Sequence, residues 1–138
     1  MNPMQEFKEA YTKTYEIQGK KMVFRSLSSK EQEEVEKYVY SRIFNINDES
    51  QYNIRKIEVL VRALVSVDAV LIKNFPEIQA KVSKGEDSLS AIRQEISEWD
   101  DTLTTLLYSY YLKMREEKDL KYQKELDFLS SQNTNVKN

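Results

Sequence analysis

From Ser88 to Ser130 the chain contains neither glycine nor proline. These two residues are the strongest punctuators of local structure, so so long a stretch without them is permissive for helix throughout. Leu89, Ile92, Ile96, Trp99, Leu103, Leu106, Leu107, Tyr110, Tyr111 and Met114 recur at three- and four-residue steps and mark one buried face. Beyond Met114 the run Arg115 to Lys124 is densely charged, and the apolar residues thin to Leu120, Tyr122, Leu126, Phe128 and Leu129. Asp87 or Ser88 suits the helix start. An unbroken helix of about 43 residues would be roughly 64 Å long. That exceeds the width of a small domain, so its end is expected to project, bend or fray.

The whole chain holds only two glycines and two prolines in 138 residues, with 40% hydrophobic and 32% charged residues. This is a globular composition, and one core is the default at this length. The predicted fold class is mainly α: a small helical domain of three or four helices with a short N-terminal β-hairpin and a long C-terminal helix. Three regions are expected: a helical domain over 1–115 with its hairpin at about 13–26, a projecting or flexible helical extension over 116–130, and a disordered polar tail over 131–138.

The hairpin is read from Thr14 to Gln18 and Lys21 to Arg25 around a turn at Gly19-Lys20. Tyr15 and Ile17 are expected on one face, and Met22 and Phe24 on another. Ser28-Ser29-Lys30-Glu31-Gln32 fits a capping box in two registers, Ser28 with Glu31 or Ser29 with Gln32. A helix follows with the stripe Val35, Tyr38, Val39, Ile43, and stops at a turn over Asn45-Ile46-Asn47-Asp48. From about Ser50 apolar residues recur densely from Ile54 through Leu60, Leu64 and Val67 to Ile72, which predicts one central helix buried on more than one side. Pro76 breaks it, a short helix or irregular stretch spans Pro76 to Val82, and Lys84-Gly85-Glu86-Asp87 breaks the chain again. Leu60, Leu64, Trp99, Leu103 and Leu107 are expected to share the core.

Composition also restricts chemistry. The chain has no cysteine and no histidine, and so lacks a thiolate nucleophile, a histidine base, a disulfide and the usual zinc ligands. A net charge of -2 supplies no global positive field for a phosphate backbone. The start Met1 to Glu6 has no basic region followed by an apolar run, and no segment approaches the roughly 20 apolar residues of a membrane span. The expected setting is therefore cytoplasmic, with no nucleic-acid or membrane partner. Glu98, Asp100 and Asp101 beside Trp99 are candidate magnesium or acid–base ligands. Their ordinary reading is a solvated helix face, so no catalytic residue, metal or cofactor is expected. Tyr108, Tyr110 and Tyr111 read as packing residues, since no basic stripe accompanies them for base stacking.

Two features point to partner binding. Asp68 sits among Leu64, Val65, Val67 and Val70, where burial would demand a partner such as Arg62 or Lys73. Tyr122, Leu126 and Leu129 form a narrow stripe too sparse for a monomer core; it would dock on a client or a second copy, or fold back on the domain. These four residues are the candidate partner-binding set.

Met22-Val23-Phe24-Arg25-Ser26-Leu27 leading into Ser28-Ser29-Lys30-Glu31, then Val61 to Ala69 with Ser66-Val67-Asp68-Ala69, then Trp99-Asp100-Asp101 before Leu106 to Leu112 follow one another over about residues 15–115. This order resembles tail assembly chaperones of tailed bacteriophages. Such proteins often place glycine after the aspartate; Ala69 stands here, and the helix is expected to run on through it. The resemblance implies a small helical protein without catalytic residues. Its clients would be aggregation-prone tail components, the tape-measure or baseplate hub protein, in the cytoplasm of the infected host cell. A structural or adaptor subunit of the virion and an unrelated helical interaction module are the alternatives.

Overall fold

The computed structural model describes residues 2–42 and 48–136. Ile43 and the turn expected at Asn45-Ile46-Asn47 lie outside the described residues. The chain is mainly helical, at 68%. The short helix α1 (Gln5–Lys8) precedes the strands β1 (Thr12–Ile17) and β2 (Lys20–Arg25). Then come α2 (Ser29–Ser41), α3 (Asp48–Ala63), β3 (Leu64–Val67) and β4 (Val70–Leu71). A 3-10 turn (Ile72–Asn74) leads into α4 (Pro76–Ser83), α5 (Ser88–Ser97) and α6 (Asp101–Val136).

The expected hairpin is present, with its turn one residue earlier than read. Gln18 and Gly19 both have positive φ, 52° and 76°, as the tightest two-residue hairpin turn requires. The register pairs Tyr15 with Met22 and Lys13 with Phe24. Paired residues share a face, so Tyr15, Ile17, Met22 and Phe24 lie together on the side covered by helices, not on two faces as expected. Ile17, Met22 and Phe24 are buried there with Leu27, Val35 and Val39. The capping box takes the Ser28 register: the Glu31 amide donates to Ser28 Oγ, and the Ser28 amide donates back to Glu31 Oε1.

The expected central helix is shorter than its apolar run. α3 ends at Ala63, and Leu64 to Val67 pass directly into a strand that pairs antiparallel with β2. The β-branched residues of Leu64-Val65-Ser66-Val67 suit a pleated surface, and the open edge of β2 supplies their hydrogen bonds. The result is a four-stranded sheet in the order β1-β2-β3-β4. Asp68 and Ala69 make the β3–β4 turn, with φ of 48° and 68°. The helix therefore does not continue through Ala69; a tight turn forms without glycine. Asp68 Oδ1 stabilises it by accepting the Lys21 amide at 2.8 Å, while the Asp68 amide donates to the Lys21 carbonyl at 2.7 Å.

Among the described residues six helices replace the three or four expected. The largest change is a break within Ser88–Ser130. α5 ends at Ser97, and Asp100 caps α6, its Oδ1 accepting the amides of Thr102 at 2.9 Å and Leu103 at 3.2 Å. α5 thus ends at a Glu98 C-cap and α6 starts from an aspartate cap, without glycine or proline between them. Leu60, Leu64 and Leu107 lie in the core, with Trp99 and Leu103 half-buried against it, whereas Leu89 is exposed. α3 packs against α2, α5 and α6, and α6 also reaches β2. α6 alone is 36 residues, about 54 Å. It runs to Val136, past Ser130, where the sequence suggests a polar tail. Among the described residues no helix is long and apolar enough to cross a membrane.

The positive φ of Ala69 yields a stability prediction. A left-handed conformation costs a residue with a Cβ about 1–2 kcal/mol, which glycine avoids at some cost in unfolded-state entropy. Ala69→Gly should raise unfolding free energy by about 0.5–1 kcal/mol in urea titration; a loss of stability would show that this turn is not formed as described.

Candidate protein-docking surface

The long helices are tied together by charges carried on α3. Lys56 and Glu58 are almost fully buried, so each must find partners. The Lys56 ammonium donates to Asp101 Oδ1 at 2.7 Å and Thr105 Oγ1 at 3.2 Å, joining α3 to the first turn of α6. The Lys56 side chain is only 2% exposed while Asp101 is 84% exposed, so a buried ammonium is met by a solvated carboxylate. Glu58 accepts both prongs of Arg93 on α5, one at 2.8 Å, and also Arg62 Nη1 at 3.1 Å. The Arg93 guanidinium also lies 4.2 Å from the Tyr38 ring centroid, which ties in α2. Arg55 holds Glu36 of α2 through two hydrogen bonds at 2.7 and 2.8 Å, keeping that carboxyl below its usual range. Arg62 Nε is buried without a hydrogen bond among the described residues; Glu34 Oε2 stands 3.9 Å away, an ion pair only.

The acids suggested as metal ligands have structural positions. Asp100 is the helix cap, Asp101 pairs with Lys56, and Glu98 is exposed at the end of α5. No group of three acidic side chains that could hold a metal ion occurs among the described residues. Tyr108 and Tyr111 are buried, their rings 6.1 Å apart, and Tyr110 lies 5.0 Å from Tyr15.

The hairpin and α2 meet at Arg25 and Glu31, whose two-pronged ion pair includes a 2.9 Å bond. Hydrogen bonding to Arg25 is the main cause of the drop of the Glu31 carboxyl from 4.5 to about 2, with the Ser28 amide assisting. On the other side of the hairpin, Glu117 of α6 accepts Tyr15 Oη at 3.4 Å and lies 3.4 Å from the Lys13 ammonium. Burial, then Glu117, raise the Tyr15 hydroxyl to about 12.

Among the described residues Met114 is the last fully buried one of α6. Tyr122, Leu126 and Leu129 are exposed at 40%, 54% and 57%. At 100° per residue they continue the side of the helix that Tyr108 and Tyr111 bury in the core, now with no core against it. Tyr122 also borders a groove of about 980 Å³ between α6, α1 and the β2–α2 junction, lined in part by Phe7, Tyr11, Arg25 and Lys121. Asp68 does not join this surface. It is exposed in its turn and pairs with Lys20 at 3.7 Å, by the Gln18-Gly19 end of the hairpin, whereas Tyr122 lies near Tyr11 and Arg25 at the other end. Sequence reasoning missed Lys56 and Glu58, because both sit inside a run read for its apolar residues alone. Compared with protein-family models, characterised proteins and solved structures, the chain matches none.

Two predictions follow the burial of these pairs. Glu58→Ala leaves the buried Arg62 and the partly exposed Arg93 without their carboxylate and should cost about 3–5 kcal/mol. Glu36→Ala, in a half-exposed pair, should cost under about 1; equal losses in denaturant unfolding would show that Glu58 is not the tie described. Because the Glu31 carboxyl is depressed on folding, its contribution is complete above about 4.5 and lost as pH falls towards about 2. Glu31→Gln should therefore flatten the stability profile across that window; an unchanged acid slope would refute the pairing.

Proposed function

We propose that this chain is a non-enzymatic protein-binding module whose docking element is the C-terminal half of α6. The carrying observation is that the helix outlasts its core. From Met114 onward it extends more than five turns, and Tyr122, Leu126 and Leu129 keep one apolar stripe exposed. An amphipathic helix presenting such a stripe can lie in a groove of a partner helix or join a short coiled coil. Its N-terminal half meanwhile is clamped by Lys56 and the aromatic core, so the stripe is presented from a rigid base.

The order of motifs that resembles phage tail assembly chaperones favours a client of matching chemistry. On this reading the client is a tape-measure or baseplate hub protein, whose helical segments expose apolar stripes before assembly, and the meeting place is the host cytoplasm. Covering those stripes reversibly would prevent aggregation and needs no catalytic group. A chaperone of this kind is absent from purified particles, whereas a resident tail or baseplate subunit would be present in fixed proportion.

The test is truncation after Lys118, which spares Glu117 and its contacts with Lys13 and Tyr15. The truncated chain should keep its melting temperature within about 2 °C, since the removed residues contribute little to the core, while losing association with co-expressed tape-measure or hub protein. A fall of more than about 5 °C with association intact would overturn the docking role.

A further inference from the structure

β1 is an edge strand, and its hydrogen-bonding phase can be worked out. The Ser26 amide donates to the Tyr11 carbonyl, and the register then places Lys13 with Phe24, Tyr15 with Met22 and Ile17 with Lys20 as the bonded pairs. The backbone groups of Thr12, Thr14 and Glu16 therefore point away from β2, along the open edge. No strand covers that edge among the described residues. β1 has neither proline nor bulge to blunt its edge; of its two charged residues, Lys13 pairs with Glu117 on the helix side and Glu16 is exposed.

We infer that β1 is a self-association edge, on which a second copy of this chain pairs antiparallel about a two-fold axis at Thr14. Self-complementarity selects the occupant. In this register Thr14 faces Thr14, Thr12 faces Glu16, and Lys13 faces Tyr15, so no like charges oppose each other. Centring the axis one residue earlier would set Lys13 against Lys13.

The helix beneath fits the same axis. Tyr110, Lys113 and Glu117 are the α6 residues that reach β1, through ring contact, a 5.8 Å approach of Lys113 Nζ to the Tyr15 ring, and the Tyr15 hydrogen bond. Joining the two four-stranded sheets edge to edge sets both α6 helices side by side on one face. Lys113 of each copy then faces Glu117 of the other. The surface is separate from the Tyr122 stripe, so a client can bind with or without it.

The full chain should sediment at twice its 16.4 kDa mass at tens of micromolar. The amides of Thr12, Thr14 and Glu16 should be protected from hydrogen exchange. Thr14→Pro removes only an outward-pointing amide, sparing the β1–β2 ladder, and Thr14→Lys sets like charges face to face. Both variants should halve the mass while keeping the helical circular dichroism of the parent. A parent chain that is monomeric, a dimer in which those three amides exchange freely, or one that survives both substitutions would overturn the proposal. Should either variant fail to fold, the exchange pattern of the unmodified chain decides.

Discussion

Everything in this fold is referred to α3, and what makes α3 a reference is that charge is buried on it. A helix surrounded on most sides by other elements could hold them by apolar contact alone, in several near-equivalent rotations. Lys56 and Glu58 remove that freedom, because an unpaired charge in the core costs far more than a misplaced methyl group. Lys56 must meet Asp101 and Thr105, which sets where α6 begins. Glu58 must meet Arg93, which sets the face of α5, and Arg55 reaches Glu36 of α2. These pairs specify arrangement more than they add stability, since a well-packed apolar substitute for a buried pair is often as stable.

Fixing the start of α6 has a consequence for its end. The helix leaves the α3 junction with its aromatic face inward, Tyr108 and Tyr111 buried, and meets the hairpin at Glu117. Past that point only the groove beside α1 and Tyr11 accompanies the helix, which runs on to Val136. The same side that buried two tyrosines then carries Tyr122, Leu126 and Leu129 exposed, flanked by lysines and glutamates that keep it soluble. The proposed docking face is thus the continuation of a core face and needs no separate scaffold.

Much of this was legible in the residues. Ser28 and Glu31 announced the start of α2, and alternation around Gly19 announced the hairpin, because both signals are local. The sheet's third and fourth strands were not legible, since Leu64 to Leu71 is an apolar run that periodicity cannot assign. Only the open edge of β2 turns it into strand, and Ala69 follows Asp68 into a left-handed conformation that residues other than glycine, asparagine and aspartate rarely adopt. The α5–α6 break was missed for a related reason. Asp100 acts by capping amides, a signal easily passed over where helix breakers are sought. The Tyr122 stripe was readable from spacing alone, yet its exposure depended on where the core ends, and that is a tertiary fact.

On the proposed function, the stripe beyond Met114 touches another protein while the rest of the same segment faces solvent. Site-specific photo-crosslinking in the native cell addresses it directly, with the reactive side chain placed at Leu126 on the stripe or at Asp127 beside it. A discrete protein adduct is expected from position 126 and none from 127. No adduct at 126, or equal adducts at both positions, would contradict it.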